Sequence, residues 1–486
     1  MQGGKKLHLT DLLNDDMAAM IKGVTSDSRK VKNGYLFAAL PGSTANGSKF
    51  IEDAIAHGAK IILAENGVSL PSGADNDDVH LVEVENTRHA FAKIAAKFYK
   101  IQPKNIVAVT GTSGKTSTVS FVQQLWHLSG LVKCASLGTL GIRGPGMCKY
   151  GSLTTPDTAT LHADIADLAS VGIDHLAMEA SSHGLDQYRL DGVKIKAAAY
   201  TNLSRDHLDY HNDMDEYFTA KSRLFVDVMR DNGVAVINAD DEYAGKLIEL
   251  SKAAGHKVVT YGRKGEDLKL LSHAPKPTGQ NVEISVGGKN YNLTIPLVGE
   301  FQIMNALCAL GLVLSQDNDP EKYVPLLSEL RGVPGRLQLV SGHSKGAIYV
   351  DYAHKPAALE TILKTLRPHT EGALVCLFGC GGNRDAGKRE IMGKIASELA
   401  DKVIVTDDNP RNEDGAVIRA QILEAAPQGI EIADRGEAIR YGIENLDEGD
   451  VLVVAGKGHE QGQIVGDVVH DFDDVEEVKK AIGEVS

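Results

Sequence analysis

The apolar positions of this chain follow two rhythms. Short unbroken runs such as Ile106-Val107-Ala108-Val109 have the length and β-branched content of strands buried on both faces. Longer stretches carry apolar residues three and four apart, the period of a helix with one buried face. Between about 103 and 240 the two rhythms alternate. Strands are predicted at 106–110, 173–179, 196–202 and 233–238, and helices near 116–128, 158–170 and 215–230. That alternation predicts a mostly parallel sheet covered by helices. From about 265 to 298 the pattern becomes a hairpin-like alternation around turn glycines, VEISVGGKNYNLTI, followed by the helical run NALCALGLVLS. Beyond Val333-Pro334-Gly335-Arg336, strands are predicted at 347–352, 373–379, 402–406 and 451–455 with helices between them, a Rossmann-like order. The first hundred residues are less regular, with a turn-rich PGSTANG at 41–47 and a helix near 88–99.

These textures predict an α/β protein of three domains: an N-terminal α/β domain over 1–102, a central phosphate-loop-type α/β domain over 103–332, and a C-terminal Rossmann-like domain over 333–486. A length of 486 residues fits that count at about 150 residues per domain. No run of about 18 apolar residues occurs, so no membrane span is predicted. The opening MQGGKKLHLTDLLNDD lacks the apolar centre of a signal peptide. The formal charge of −14 argues against a nucleic-acid partner, which would favour a basic face. The five cysteines, Cys134, Cys148, Cys308, Cys376 and Cys380, form no disulfide framework, which points to a reducing, cytoplasmic setting.

The clearest chemistry lies at the end of the strand at 106–110. It runs into Gly111-Thr112-Ser113-Gly114-Lys115-Thr116-Ser117 and then a helical pattern. Glycines let backbone N–H groups close on phosphate oxygens, and the helix N-terminus adds positive potential. Lys115 is placed to neutralise β- and γ-phosphates, and the Thr116 hydroxyl to hold Mg²⁺. Val109 stands where the full G-x-x-x-x-G-K-[ST] pattern has glycine, so the loop is a shortened form. The alternative is a plain glycine turn between a strand and a helix.

Two more strands end in polar clusters. The strand at 173–179 ends in Glu179-Ala180-Ser181-Ser182-His183-Gly184, and a carboxylate at the carboxyl end of a parallel strand faces the ligand crevice. Glu179 is therefore a candidate Mg²⁺ ligand, whereas His183 alone reads as a structural histidine. The next strand leads into Thr201-Asn202-Leu203-Ser204-Arg205-Asp206-His207-Leu208-Asp209-Tyr210-His211, a density of Asp and His unusual for a solvated loop. Lys221, judged by spacing alone, is an exposed lysine on an amphipathic helix.

Taken in order, the motifs resemble those of the Mur ligases of peptidoglycan synthesis. They are TSDSR at 25–29, GTSGKT at 111–116, TTPD at 154–157, EASSHGL at 179–185, TNLSRDHLDYH at 201–211, PGR at 334–336, VDYAHKP at 350–356, GCGGNRDAGKR at 379–389, DNPR at 408–411 and GKGHE at 456–460. The match spans nearly the whole chain and is most similar to the branch that adds the third residue of the stem peptide. The resemblance implies that the N-terminal domain holds the UDP end of the substrate, the central domain binds ATP and the C-terminal domain brings the incoming amino acid. It implies two Mg²⁺ ions, with metal roles for Thr116, Glu179, His207 and a Lys221 that carbon dioxide has converted to a carbamate (N6-carboxylysine). Lys115, Glu179, His207 and Lys221 would form the catalytic group.

By the same resemblance Gly111–Ser117, Asn305, Arg336 and Asp351 would contact ATP, with Asp351 near the ribose and His354 in the same loop. Ser28, Thr154, Thr155, Ser181, Gln187 and Arg189 would hold UDP-MurNAc-L-Ala-D-Glu. Arg384, Asp408, Asn409, Pro410, Arg411, Gly456 and Glu460 would hold meso-diaminopimelate. Reading its distal carboxylate calls for an arginine fork, which Arg411 supplies, and Glu460 suits the distal ammonium. The implied enzyme is a cytoplasmic, monomeric ATP-dependent ligase acting on small molecules, with no nucleic-acid or membrane partner. The alternatives are a lysine-adding ligase of the same type, which DNPR and GKGHE disfavour, and a non-catalytic relative, which would be expected to lack Lys115, Glu179 or Lys221. Departures from the family pattern are Ser113 where Asn is frequent, Gln302 where G-x-F-N-x-x-N has Asn, Lys355 after DYAH, and Ser43-Thr44 where relatives often carry His-Gln.

Overall fold

The computed structural model describes residues 9–12, 21–42, 46–72, 74, 79–149, 151, 153–207, 210–340, 343 and 345–485. Ser43, Thr44, Leu208 and Asp209 lie outside the described residues. The chain divides into two compact units, 1–266 with 308–318, and 267–307 with 319–486.

The first unit contains two sheets. The N-terminal one has four parallel strands in chain order, β1 (Gly23–Thr25), β2 (Tyr35–Ala38), β3 (Ala59–Glu65) and β4 (His80–Val84). Alternation along these strands feeds two cores. Leu36, Ala38, Ile61, Leu63 and Val82 pack with Phe91 and Ile94 of helix Thr87–Tyr99. Phe37, Ala39, Ile62 and Ala64 pack with Ile51 and Ala54 of helix Ile51–Ala56. Asn86 caps the longer helix by accepting from His89 N–H at 3.0 Å, which satisfies one of its free amino-terminal donors.

The second sheet of this unit is built from β5 (Asn105–Thr110), β6 (Cys134–Gly138), β7 (Gly141–Gly144), β8 (Met147–Lys149), β9 (His175–Glu179), β10 (Ile195–Tyr200), β11 (Val234–Asn238) and β12 (Lys257–Gly262). Their order is β12-β11-β10-β5-β9-β6-β7-β8, parallel from β12 to β6 and antiparallel thereafter. β5 lies at the centre with β10 on one side and β9 on the other. Ligands of open parallel sheets bind where the strand order reverses in this way, outside the carboxyl ends.

In the second unit β13 (Leu268–Lys276), β14 (Gly279–Val286) and β15 (Lys289–Ile295) form an antiparallel meander, where the sequence pattern predicted a hairpin. The rest is a three-layer α/β fold. β16 (Gln338–Val340), β17 (Ala347–Asp351), β18 (Leu374–Phe378), β19 (Lys402–Val405), β20 (Ile430–Glu431) and β21 (Val451–Ala455) are ordered β16-β17-β21-β18-β19-β20, all parallel except β16. Tyr349, Cys376 and Val453 face the core under helix Pro356–Leu366, while Ile348, Leu377 and Leu452 face the core under helix Arg435–Glu444. The small antiparallel pair β22 (Gln463–Val465) and β23 (Val468–His470) follows.

The predicted strands of the middle and carboxyl-terminal segments fall within two residues of the observed ones. The N-terminal strands, β6 to β8 and β12 carried too weak a pattern to be predicted. The helix expected near 215–230 is regular only over Met214–Arg223 and continues as one wide π-type turn, Leu224–Val228. Such turns recur at functional sites. Among the described residues no helix is long and apolar enough to cross a membrane.

Candidate active site

Every motif that follows a parallel strand sits at that strand's carboxyl end. In the first unit β5 leads into the loop Gly111–Thr116, β9 ends on Glu179, and β10 leads into Thr201-Asn202. Adjacent parallel strands in register bring these ends together. Val109 pairs with Glu179, and Thr110 with Tyr200.

The phosphate loop is held from below by the loop after β10. Thr112 N–H donates to the Asn202 carbonyl at 2.8 Å, Ser113 N–H to Asn202 Oδ1 at 3.0 Å, and Thr201 Oγ1 to the Ser113 carbonyl at 2.6 Å. Gly111 has φ 145° and lies so close to the Thr201 hydroxyl that a side chain there would overlap it. Helix Lys115–Leu128 starts directly after the loop, with no side-chain cap. Its first N–H groups are free of intrahelical partners and supply the positive end of the helix. Lys115 Nζ donates to the carbonyls of Gly111 at 2.9 Å and Thr112 at 2.8 Å.

Lys221 departs from its reading by spacing. It is not an exposed lysine on a helix surface but is 2% exposed. Tyr217 and Lys221 share one face of helix Met214–Arg223, four residues apart, and that face packs against the phosphate loop. The ammonium stands 4.3 Å from the Tyr217 ring centroid, and Tyr217 OH lies 3.2 Å from Thr112 Oγ1. Lys221 Nζ donates to the Gly111 carbonyl at 2.8 Å, the same oxygen that receives Lys115. Burial, and then the Lys115 charge, hold its pKa well below the usual lysine value, against a weaker pull from Asp206.

Glu179 is 1% exposed at the end of β9. Thr116 Oγ1 donates to its Oε2 at 3.1 Å, Thr139 N–H to its Oε1 at 2.7 Å, and Thr139 Oγ1 to its Oε2 at 3.2 Å. Burial raises the carboxyl pKa, opposed by Lys115 and by the Thr139 and Thr116 hydrogen bonds. Thr139 was missed by sequence reasoning because it follows β6, a strand that was itself not predicted. It also lies 3.1 Å from Thr154 Oγ1 and so joins Glu179 to the TTPD loop.

Of the residues the resemblance expects on the substrate side, Thr155, Ser181, Gln187 and Arg189 form one network. Ser181 Oγ donates to Thr155 Oγ1 at 3.0 Å, Thr155 Oγ1 donates to the Glu179 carbonyl at 3.1 Å, and Arg189 donates to the Thr155 carbonyl at 2.6 Å and Gln187 Oε1 at 2.7 Å. Ser181 also caps helix Ser182–Asp186. Beside Thr154 lies a cavity of about 230 Å³ whose lining includes Lys30, Gly138, Lys149, Leu153, Asp157 and Thr160. Ser28 is buried two residues before Lys30, in the 3₁₀ segment Ser28–Lys30 that Asp27 caps.

His207 has φ 54° and a half-exposed ring 5.0 Å from that of His183. His211 is 1% exposed and packs at 5.1 Å from the Tyr217 ring, so the histidines and tyrosines of this loop form one aromatic cluster above the phosphate loop. Among the described residues no three or more His, Cys, Asp and Glu side chains are gathered as a metal site. The oxygen set nonetheless fits Mg²⁺. Thr116 Oγ1 and a buried Glu179 carboxylate meet at the mouth of the phosphate loop, and hard cations take such ligands together with phosphate oxygens.

In the second unit four motifs again follow strand ends: VDYAH after β17, GCGGNRD after β18, DNPR after β19 and GKGHE after β21. Asp351 is buried and accepts from Leu337 N–H and Ala353 N–H, both at 2.7 Å. It thereby ties PGR to DYAH. Arg336 lies over the Tyr352 ring at 5.6 Å, and Lys388 donates to the His354 carbonyl at 2.8 Å. Asn305 is buried and donates to Gln302 Oε1 at 3.0 Å, so the glutamine that departs from the family pattern orients the asparagine that follows it.

Asp408, Asn409 and Pro410 are buried, and Arg411 has φ 54°. The Arg411 guanidinium donates to the Gly382 carbonyl at 3.0 Å, and a side chain on Gly381 would sit 2.8 Å from it and 4.0 Å from Arg384 Cγ. The two arginines therefore flank one glycine turn. Gly456 has φ 121°, and an added Cβ would be 2.7 Å from Asp408 Oδ2. Glu460 accepts from Asn409 Nδ2 at 3.2 Å. The sequence reading passed over Lys457, inside the GKGHE motif it quoted, although that side chain is wholly buried between these loops.

Three family descriptions match the chain in order: "Mur ligase family, catalytic domain" over residues 20–99, "Mur ligase middle domain" over 109–313 and "Mur ligase, glutamate ligase domain" over 335–458. The chain is 48% identical over 485 residues to the UDP-N-acetylmuramoyl-L-alanyl-D-glutamate--2,6-diaminopimelate ligase of Rhizobium meliloti, covering 99% of each. It is 49% identical to the protein of that name from Caulobacter vibrioides, covering 98% of each. A solved structure of a protein of that name superimposes with a TM-score of 0.74 at 35% identity, covering 96% of this chain and 95% of the other.

Proposed function

The chain belongs to the Mur ligase family, and from that premise we propose that it adds meso-2,6-diaminopimelate to the D-glutamate γ-carboxylate of UDP-MurNAc-L-Ala-D-Glu, converting ATP to ADP and phosphate. The observation that carries this reading is the shared Gly111 carbonyl. Two lysines, Lys115 and the buried Lys221, meet on one oxygen of a phosphate loop, beside a buried glutamate. An ammonium has little reason to be buried beside another ammonium. A lysine held toward its neutral form is the nucleophile that carbon dioxide requires, and its carbamate would bring a negative charge to the loop.

In the proposed reaction the γ-phosphoryl group of ATP passes to the glutamate carboxylate, giving an acyl phosphate. The amine of diaminopimelate then adds to the acyl carbon, and the tetrahedral adduct collapses with loss of phosphate. Little of this is covalent chemistry for the protein, so its contribution is positioning and charge. The N–H groups at the start of helix Lys115–Leu128 cradle phosphate oxygens. Lys115 exchanges its two loop carbonyls for phosphoryl oxygens and offsets their charge. Thr116 and Glu179, with His207 and carbamylated Lys221, would hold Mg²⁺, which supplies Lewis-acid neutralisation of the transferring group. Thr154, Thr155, Ser181, Gln187 and Arg189, with Ser28, would hold the nucleotide-sugar peptide. Asn305, Arg336 and Asp351 would contact ATP.

The Arg384 and Arg411 guanidiniums would fork the distal carboxylate of the incoming amino acid, and Glu460 with the Gly456 backbone would take its ammonium. Lysine lacks that distal carboxylate, so both arginines would face nothing. The reading places the enzyme in the cytoplasm with its nucleotide substrates. It is tested by phosphate release from ATP with UDP-MurNAc-L-Ala-D-Glu, offering diaminopimelate and L-lysine separately. Diaminopimelate-dependent release supports it, and a preference for lysine would overturn the assignment of the arginine fork.

A further inference from the structure

Lys457 lies between Gly456 and Glu460 and has no part in the reading above. Its side chain is 0% exposed. Nζ donates to Asn409 Oδ1 at 3.0 Å and stands 3.7 Å from Glu460 Oε2, while Asn409 Nδ2 donates to that same glutamate oxygen at 3.2 Å. The three groups close a triangle that joins the loop after β19 to the loop after β21. A buried ammonium persists only where it is paired and hydrogen-bonded. Burial lowers the Lys457 pKa below the usual lysine value; Asp408 and Glu460 oppose that and the buried Arg435 adds to it, so the ammonium depends on these carboxylates and on Asn409.

The chemistry of the triangle has a direction. An ammonium has donors only, so the asparagine must turn its oxygen toward Lys457, and Ile464 N–H donates to that oxygen too, at 2.9 Å. The amide NH₂ is then committed to Glu460. Lys457 also supplies a positive charge 3.7 Å from Glu460 Oε2, which favours the carboxylate in this position. Remove it and the glutamate, 38% exposed, is free to swing into solvent.

We propose that Lys457 is a positioning residue for amino-acid selection, holding the Asn409 amide and the Glu460 carboxylate in the arrangement that receives the distal ammonium of diaminopimelate. This rests on the functional reading above. Lys457 itself touches no substrate; it acts through Asn409 and Glu460.

The test is steady-state kinetics of the full-length enzyme with each substrate varied in turn. K457M is expected to raise KM for diaminopimelate by about 10- to 100-fold, the loss expected for charge-assisted contacts. The KM values for ATP and UDP-MurNAc-L-Ala-D-Glu should stay within about twofold. E460Q should behave alike, and the K457M/E460Q pair should be no worse than the worse single variant, since both act on one contact. K457Q keeps a donor for Asn409 without the charge and should fall between wild type and K457M. It also serves if K457M does not fold. A KM for diaminopimelate unchanged in either Lys457 variant, or losses that simply add in the pair, would overturn the inference. A wild-type enzyme that ligates lysine and not diaminopimelate would overturn the functional reading and this inference with it, whereas normal wild-type selectivity with an unaffected K457M overturns this inference alone.

Discussion

Replacing Glu179 with glutamine separates the proposed catalytic use of this side chain from its structural one. The substitution keeps the volume and the Oε1 acceptor for Thr139 N–H. Oε2 becomes an NH₂ group, and the two hydroxyls that donated to it, Thr116 Oγ1 and Thr139 Oγ1, can turn to accept, because a hydroxyl does both. What disappears is one full negative charge at the mouth of the phosphate loop. At contact range and an effective dielectric of about 20, a charge pair is worth about 4 kcal/mol. At about 1.4 kcal/mol per decade of rate, E179Q should ligate about 10³-fold more slowly.

Stability should move the other way. Burial raises the folded-state pKa of Glu179 above its ordinary value. The folded protein therefore holds this proton more tightly than the unfolded chain. The associated stability is complete at low pH, declines as pH rises through the unfolded and then the raised folded value, and is absent above that folded value. Glutamine never ionises, so E179Q should melt at or above the wild-type temperature at pH 7.5, with a flatter pH dependence on the acid side. The assays are phosphate release under saturating substrates and thermal melting monitored by circular dichroism across pH. Turnover within tenfold of wild type, in a variant that melts normally, would refute the placement of Glu179 in the phosphoryl-transfer machinery.

K115M should show no measurable diaminopimelate-dependent phosphate release while retaining wild-type circular dichroism, and retained turnover would remove Lys115 from the phosphate site. K221A should be inactive in plain buffer and regain part of its activity in acetate or propionate, whose carboxylate would take the place of the proposed carbamate; full activity without additive would dismiss the modified lysine. R411K keeps the charge but loses the planar fork, so KM for diaminopimelate should rise about tenfold or more while KM for ATP holds, and an unchanged value would show the carboxylate is read elsewhere. Arg435 and Asp474 form a fully buried ion pair at 2.7 Å, so R435M should cost about 3–5 kcal/mol in denaturant unfolding, and R435M/D474N should recover much of it. Near-wild-type stability of R435M alone would mean that Asp474 is not left as a buried unpaired charge.

The sequence by itself determined the parallel α/β character, the strands of the middle and carboxyl-terminal segments, and the phosphate loop. Each is a local pattern: an apolar run long enough for a buried strand, followed by residues whose backbone freedom or charge suits the strand's carboxyl end. β6 to β8 stayed hidden because they are short and carry little alternation, and Thr139, which follows β6, was lost with them. The resemblance gave Lys221 an expected metal role, but only the tertiary structure shows that it is buried and against what. Spacing read it as a solvated lysine, because a helix does not announce which loop will cover its face. The packing of Tyr217 and Lys221 against Gly111 and Thr112 buried it. The same holds for Lys457, which lies within a motif visible in sequence. The ammonium has a purpose only once Asn409, 48 residues away, is folded beside it. Local periodicity follows from backbone geometry, whereas the burial of a charge depends on partners distant in the chain.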